Sequence, residues 1–285
     1  MKTSKLILLL LLGFFMLNAC STDETEPTPV VDDCLACQMA FPHDEGESVD
    51  VTIKNTTIPM RKVDNNFVFL GDIVFTQEQL DNFIAFNSKA KGTGLKAKHW
   101  TNKTVYYTLN KNLPQDKKNA VNQAIQHYRT NTKIKFVRRT NQRNYVEFFY
   151  GPGNGCYSSL GMVGGKQRIN VDTWCGKGTM IHEIGHALGL AHEQNHPKRD
   201  KHIIIKWNNI QQKWHRQYYK VSVGSYMTSN NKVDYNSIMI YSCYNGSAIN
   251  TSKPVMTRKD GSTWSGQRKK LSNQDKKVLK KMYKY

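Results

Sequence analysis

Four short apolar stretches after residue 100 are predicted as β-strands, and the first of them alternates apolar and polar residues. A different period follows Pro114. There, apolar residues recur three and four positions apart along Gln115–Tyr128, as in an amphipathic helix that begins after a proline. The four predicted strands are Thr104–Leu109, Ile134–Val137, Tyr145–Tyr150 and Arg168–Val171. Strands and helices in this order predict an α+β fold with helices packed on a sheet.

The first ninety residues carry a pattern of their own. Three stretches with strand character are separated by Asn-rich turns, and the helical spacing of Leu80, Phe83 and Ile84 then predicts a helix. The predicted strands are Val51–Ile53, Ile58–Val63 and Phe67–Phe75, and the predicted helix is Gln77–Phe86.

Two more helices are predicted towards the C-terminus. Lys206–Tyr219 is mostly polar, with three apolar residues spaced for packing. The last helix is expected to begin at Ser272, because serine is a good N-cap and Asp275 stands three residues later, as in a capping box. No internal repeat is evident.

The chain begins with the features of an export signal. Two lysines precede the apolar run Leu6–Leu17, and a small residue and a cysteine follow it. Leu17-Asn18-Ala19-Cys20 resembles a bacterial lipobox, which predicts a signal peptide over 1–20 and lipidation of Cys20; ordinary secretion without lipid is the alternative. Residues 21–33 are rich in Thr, Glu and Pro and predict a disordered tether.

Charge divides the chain into two unlike parts. Residues 1–90 hold 6 Lys and Arg against 13 Asp and Glu, whereas residues 91–285 hold 35 against 9. A basic excess of this size is common in nucleic-acid-binding proteins, but no recognition helix or basic-aromatic motif is present, so we expect no nucleic-acid partner. A basic catalytic part held by an acidic pro-segment explains the asymmetry better, because complementary fields favour docking.

The strongest chemical signal is the stretch Met180–His192, which contains H-E-x-x-H-x-x-G-x-x-H. His182 and His186 stand four apart and therefore lie on one face of a helix, where both imidazoles can reach one zinc ion. Gly189 can end that helix in a left-handed conformation, so that His192 turns back as the third ligand. Glu183 is placed to act as general base on the water of an open zinc site.

A methionine turn, Val233-Asp234-Tyr235-Asn236-Ser237-Ile238-Met239-Ile240-Tyr241, follows the histidines. Together the two motifs resemble the metzincin clan of zinc endopeptidases. His192–Asp200, taken with Ser237–Tyr241, is similar to the astacin family, and the resemblance covers about residues 98–285. It implies a metzincin-type catalytic domain with a twisted sheet and a zinc-site helix, preceded by a small pro-segment, and one catalytic Zn²⁺ ion.

The resemblance also implies roles for single residues. Glu183 and Tyr241 would be catalytic, with Tyr241 a fifth zinc ligand that swings away to hydrogen-bond the oxyanion. Met239 would pack beneath the zinc ligands as the apolar base of the methionine turn. Glu193, directly after the third histidine, would pair with the new N-terminus after maturation.

Five cysteines follow Cys20, and export makes disulfides permissible. Cys156 and Cys175 occupy positions that resemble a disulfide of the astacin family, and closing that loop would stabilise the fold by about 3 kcal/mol in the loop-entropy picture. The pairing of Cys34, Cys37 and Cys243 stays open, since an odd set leaves a free thiol, a metal-bound thiol or an intermolecular bond.

Two kinds of residue before the expected maturation point could block the zinc and keep the precursor inactive. Phe69-Leu70-Gly71-Asp72 resembles the F-x-G-D motif of astacin pro-peptides, whose aspartate ligates zinc, and Asp72 is our choice. A thiolate is an equally good ligand, so Cys37 or Cys34 is the alternative. The maturation point itself is expected within Asn87–Gly94, which is small, polar and open to proteolysis.

These observations predict four segments and one activity. The segments are a lipoprotein-type signal peptide at 1–20, a tether at 21–33, a pro-segment at 34–90 and an astacin-like zinc protease domain at 91–285. The expected activity is hydrolysis of protein or peptide substrates by a zinc-activated water, in a chain made as a zymogen. We expect a monomer exported from a bacterial cell, either as an outer-membrane lipoprotein or released after maturation, with membrane contact only through a lipid at Cys20.

Overall fold

The structure, a computed structural model, describes residues 39–53, 56–91, 94–221 and 232–285. The expected signal peptide and tether, together with Cys20, Cys34 and Cys37, lie outside the described residues. Within the described ranges, no helix is both long enough and apolar enough to cross a membrane.

The described residues up to Lys91 form a unit that we call the N-terminal layer. Its four strands are antiparallel neighbours in chain order, and α1 follows them: β1 Glu47–Ile53, β2 Thr56–Val63, β3 Asn66–Phe69, β4 Ile73–Thr76 and α1 Gln77–Lys89. Thr76 caps α1 in a capping box with Gln79. The prediction of one strand over Phe67–Phe75 is wrong, because Leu70 (φ 54°) and Gly71 (φ 102°) turn the chain between β3 and β4.

The residues from Gly94 onwards form the C-terminal region. Its first strands are β5 Thr104–Leu109, β6 Lys135–Arg138, β7 Tyr145–Tyr150, β8 Tyr157–Ser158 and β9 Lys166–Val171. Strands β5, β6, β7 and β9 are parallel neighbours, and β8 runs antiparallel to β9 at the edge. The N-terminal layer joins this edge, since Ile73 of β4 pairs in parallel with Ser158 of β8, and the result is a nine-stranded sheet of order β1-β2-β3-β4-β8-β9-β7-β5-β6.

Two helices pack with the parallel strands around the largest apolar core. They are α2, Gln115–Asn131, and α3, Lys177–Leu188. Tyr128 of α2 is fully buried and donates its hydroxyl to the carbonyl of Ile181 at 2.8 Å, which fixes the two helices against each other. The core therefore supports α3, the helix that carries the first two histidines.

The remaining elements are short strands, 3₁₀ turns and a last helix: β10 Ile203–Ile205, β11 Met256–Arg258 and α4 Asn273–Tyr283. The prediction of a helix over Lys206–Tyr219 is wrong. The chain instead forms 3₁₀ turns at Trp207–Asn209 and Gln212–Tyr218. The reason is long-range pairing in the middle of the range: Gln211 N donates to Ser247 O and Ile210 forms a bridge with Ala248, so this backbone is not available to a helix. The capping box of Ser272 and Asp275 is confirmed.

The end of α1 is tied to the start of the C-terminal region by a single side chain. Asn87 is buried, and its amide oxygen accepts from Lys96 N at 2.8 Å while its amide nitrogen donates to Lys96 O at 3.2 Å. Both ends of the expected maturation segment are thus held together at its base.

Candidate active site

Three histidine side chains converge on one point at the end of α3. His182 and His186 lie one helical turn apart, and Gly189 ends the helix in the left-handed conformation (φ 104°), so that His192 returns to the same point. The Nε2 atoms lie 3.1–3.3 Å from one another, and all three side chains are buried. Ligand atoms of a tetrahedral zinc with bonds of about 2.0–2.1 Å lie about 3.3–3.4 Å apart, so the spacing fits that ion.

Backbone carbonyls decide which ring nitrogens face this point. His182 Nδ1 lies 2.7 Å from Ile238 O, and His186 Nδ1 lies 2.8 Å from Leu190 O. A carbonyl accepts only from an N–H, so in both neutral rings the proton is on Nδ1 and the Nε2 lone pair points to the centre. Lone pairs that meet at about hydrogen-bond distance repel each other unless a cation lies between them, and this donor set fits zinc.

Asp72, from the turn between β3 and β4, adds a carboxylate to the three imidazoles. Its carboxylate oxygens lie 3.2 Å from the Nε2 atoms of His182, His186 and His192, and its side chain is completely buried. Burial alone would raise the pKa of Asp72, but the surrounding imidazoles of His192, His186 and His182 hold this pKa well below its usual range. In the described ranges, these four residues are the cluster able to hold a metal ion.

Glu183 lies on α3 in the same buried space, and neither of its carboxylate oxygens has a hydrogen-bond partner among the described residues. Burial raises the pKa of Glu183 well above its usual value, and the negative charge of Asp72 raises it further. Because no described residue donates to this carboxylate, its oxygens can accept a proton from a water or substrate group, as a general base does.

Two residues of the methionine turn lie against the site: Met239 packs on α3, and Tyr241 contacts His192 and the Asp72 turn. A Cβ on Gly185 would lie 2.9 Å from Met239 Sδ, so the glycine is what lets Met239 pack directly under α3. The Tyr241 ring meets His192 edge to face at 4.8 Å, and its hydroxyl donates to Leu70 O at 3.5 Å. A Cβ on Gly71 would lie 2.7 Å from that hydroxyl, so only glycine fits there. Burial raises the pKa of Tyr241 well above its usual value.

The methionine turn is held by residues that the sequence analysis did not single out for this role. Asp275 is buried and accepts from Ser237 Oγ at 2.6 Å and from Ile238 N at 3.0 Å, in addition to capping α4. Arg268 donates to Ile238 O at 3.0 Å and to Ile240 O at 3.1 Å. Ile238 O also faces His182, so both residues help to position a histidine indirectly. The capping pattern marked Asp275 only as a helix start, and no signal marked Arg268.

Glu193 is buried next to the site and accepts from Asp234 N at 3.1 Å, while its own N–H donates to Met239 O at 3.1 Å. It therefore connects the third histidine to the methionine turn.

A disulfide joins Cys156 and Cys175, the pair implied by the resemblance. Cys243 is buried and forms no disulfide within the described part of the chain, and burial raises the pKa of its thiol to about 12.

Comparison with known proteins agrees with this geometry. The family model of the astacin peptidases matches residues 92–284, a range that leaves out the N-terminal layer. Zinc metalloproteinase nas-4 of Caenorhabditis elegans is 32% identical over 216 residues, covering 75% of this chain and 68% of that protein. Flavastacin of Elizabethkingia meningoseptica is 30% identical over 308 residues, covering 99% of this chain and 64% of flavastacin. The chain thus spans about two thirds of either relative.

Among solved structures, High choriolytic enzyme 1, a hatching enzyme zinc-protease from Oryzias latipes, matches with a TM-score of 0.60 at 27% identity. The match covers 66% of this chain and 94% of that structure. The expected α+β fold and the zinc cofactor are therefore confirmed. With its family range, its relatives and its three converging histidines in agreement, the chain belongs to the astacin family of zinc metalloendopeptidases.

Proposed function

We propose that this chain is an exported zymogen of a zinc-dependent endopeptidase, and that its N-terminal layer is the pro-segment that blocks the zinc. One observation carries the proposal: Asp72, from the layer, lies 3.2 Å from all three histidine Nε2 atoms. A carboxylate oxygen is a normal zinc ligand, and it takes the position that a catalytic site keeps open for water or substrate. The cysteine alternative, Cys37 or Cys34, has no comparable observation behind it.

Glu183 acts as general base and general acid in this proposal. His182, His186 and His192 would hold a zinc ion, which would supply Lewis acidity to the scissile carbonyl and lower the pKa of a water towards about 7. Glu183 accepts the proton from that water at its carboxylate and passes it to the leaving amine. The absence of any hydrogen-bond partner for its oxygens in the described residues supports this role.

Tyr241 serves as the second catalytic residue, and its hydroxyl would stabilise the oxyanion once the Asp72 turn has left. The hydroxyl lies beside Gly71, one residue from Asp72, and this proximity to the proposed blocking residue supports the role. Removing one donor of this kind costs about 10²–10³ in rate. Met239 supports the ligands from beneath α3 as the methionine turn.

Maturation would cut the chain within residues 87–94, separating a pro-segment at 34–90 from a protease domain at 91–285. Lys89 and Lys91 are exposed in this stretch, so a trypsin-like protease could reach it. Glu193 would then pair with the new N-terminus, because it is already buried against the methionine turn. The proposal also includes protein or peptide substrates, a monomeric enzyme, and export of the chain with a lipid attached to Cys20.

A digestion experiment tests this function. The full chain is purified with zinc and assayed on casein before and after limited trypsin treatment, and intact mass gives the cut site. We expect little cleavage by the uncut chain, strong cleavage after a cut near Lys89 or Lys91, loss with a chelator, and recovery when zinc is added back. A cut, zinc-loaded chain that never digests casein or any peptide would refute the proposal.

A further inference from the structure

The N-terminal layer places a methionine side chain inside the C-terminal region. Met39 is 1% exposed and belongs to the apolar cluster that contains Trp214, Tyr218 and Tyr241. Its segment continues along the Asp72 turn, because Ala40 N donates to Gly71 O at 2.8 Å. The next residue, Phe41, donates its N–H to Asn154 O at 2.8 Å. Met39 thus occupies a space of the C-terminal region close to the Asp72 turn.

Gln217 lies between Met39 and that turn. Its amide nitrogen is 3.9 Å from Met39 Sδ, and its side chain is nearly buried. Its amide oxygen has no hydrogen-bond partner among the described residues. A Cβ on Gly71 would lie 3.3 Å from this oxygen and 2.7 Å from the Tyr241 hydroxyl. The Gln217 amide therefore lies beside Tyr241. The layer leaves its oxygen without a donor, although an unsatisfied buried acceptor costs stability.

The cover over this space comes from the N-terminal layer. Arg61 is buried, lies over the Trp214 ring at 5.6 Å, and donates to the carbonyls of Ala40 and Phe41. Burial lowers the pKa of Arg61 to about 10, although Asp44 acts in the opposite direction. If the layer leaves, Met39 and Arg61 leave with it, and Trp214 and Gln217 face the cleft beside Tyr241.

We propose that the space filled by Met39 is a substrate subsite next to the scissile bond, and that Gln217 sets its preference for methionine or another unbranched apolar side chain. The inference rests on the proposed function, because it takes the layer to occupy the substrate cleft. An unbranched thioether bends to fit an irregular space and contacts aromatic rings favourably. An ionised side chain would lose its hydration there, and the neutral amide of Gln217 would not replace it. The unpaired amide oxygen can accept an N–H from an extended substrate.

Peptide binding tests the subsite independently of cleavage. The full chain carrying Glu183→Gln is loaded with zinc and cut near Lys89 or Lys91. Fluorescein-labelled octapeptides of Ala, Ser and Gly are then titrated, each with Met, norleucine, Val, Asp or Lys at one varied position. At one position, Met and norleucine should bind about ten-fold tighter than Val or Asp, the scale set by small changes in a filled apolar pocket. If no position prefers Met and norleucine, the subsite is wrong.

Substitution of Gln217 separates a specificity role from a structural one. Gln217→Glu should move the preference at that one position from Met to Lys and leave the other positions unchanged. Gln212→Glu, on the same 3₁₀ turn but exposed, should keep the preference for Met. Equal weakening of all peptides by Gln217→Glu, or no change, would overturn the assignment. If Gln217→Glu does not fold, Gln217→Asn is measured, and its shorter amide should shift the preference from norleucine to 2-aminoheptanoate.

Cleavage by the wild-type chain distinguishes the two proposals. A chain that binds with this pattern but never cuts peptides would refute the proposed function and leave the subsite standing. A chain that cuts peptides without any preference for Met or norleucine would refute the subsite and leave the proposed function standing.

Discussion

The N-terminal layer and the C-terminal region share one sheet but are stabilised in different ways. In the layer, every strand pairs with its neighbour in the chain, so the contacts are local. In the C-terminal region, contacts are long-range: the disulfide, α2 against α3, and α4 against the methionine turn. Between the two parts, strand pairing in the described residues is limited to one register position, Ile73 with Ser158. The two parts meet through side chains instead, since Leu160 and Val163 of the C-terminal region lie in one apolar cluster with Phe69 of the layer.

Each part also contributes one carboxyl group to the site, and the pKa values of the two groups are shifted in opposite directions. Asp72 comes from the layer and has its pKa lowered by the histidines, whereas Glu183 comes from the C-terminal region and has its pKa raised by burial and by Asp72. The anion at the centre thus comes from the layer, which we propose is removed on activation (the removable part), and the group suited to proton transfer belongs to the C-terminal region (the permanent part). The predictions below perturb one side of this comparison at a time.

The largest effect is expected from the permanent part. Glu183→Gln should retain one zinc ion per chain and lower kcat/KM of the cut protein by about 10²–10⁴, because the proton acceptor is lost while the histidines remain. Zinc is measured by mass spectrometry and cleavage with a quenched peptide. Asp116→Asn, a fully exposed control, should match the wild type. Substantial turnover by Glu183→Gln would contradict the assignment.

The next effect concerns the removable part. Asp72→Ala should make the uncut precursor more active than the uncut wild type, because the zinc position is then open to water. The expected gain is roughly 100-fold, which corresponds to loss of a blocking contact of about 2.8 kcal/mol. Activity is measured together with intact mass, so that only uncut chain is counted. Asp50→Ala, on an exposed position of β1, should remain latent. If Asp72→Ala stays inert and Cys37→Ala becomes active, the zinc-blocking residue is the cysteine.

A smaller effect tests the long-range ties of the C-terminal region. Replacing both Cys156 and Cys175 by serine should lower the free energy of unfolding by about 3 kcal/mol, because the disulfide closes a loop with a sequence separation of 19. Denaturant unfolding of the full chain gives the value. Peptide mapping of the wild type without reductant should find the two cysteines joined, and a free Cys175 would show the pairing to be wrong.

The smallest effect is expected at the boundary itself. Arg216 donates to Ser48 Oγ at 2.5 Å across the two parts, but the contact is exposed. Exposed polar pairs contribute about 0–1 kcal/mol, so Arg216→Ala should change the rate of activation by less than about five-fold. The rate is followed as the rise of peptide cleavage during trypsin treatment. A change as large as that expected for Asp72→Ala would mean that the layer is held by surface contacts instead of the zinc site.

Sequence reasoning was most successful where structure depends on neighbours in the chain. The spacing of His182 and His186, the glycine that ends α3, and the cap at Ser272 are all decided within a few residues, and each is found as predicted. It failed where distant backbone competes. The backbone of Ile210 and Gln211 pairs with residues 248 and 247, which no local pattern announces.

Other features were beyond pattern reading for a different reason. Leu70 adopts a left-handed conformation that is uncommon for a leucine, so its turn was read as a continuous strand. Asp275, Arg268 and Gln217 look like ordinary surface or cap residues in sequence, and their roles depend on which distant carbonyl or side chain they meet. Sequence thus located the zinc ligands and the methionine turn, but not Asp275, Arg268 or Gln217.

Asn87 has a consequence for the kinetics of activation. Because its amide holds Lys96 on both the N–H and the carbonyl, a cut between them leaves two chains that still meet at the base of the former loop. In the proposed zymogen, the layer before the cut would be a tethered inhibitor with an effective concentration of the order of millimolar. After the cut, the same surfaces would form a bimolecular complex whose lifetime depends on dissociation, so dilution would control activity. Cleavage and onset of activity should therefore be separable in time, with a lag that does not shorten when more activating protease is added.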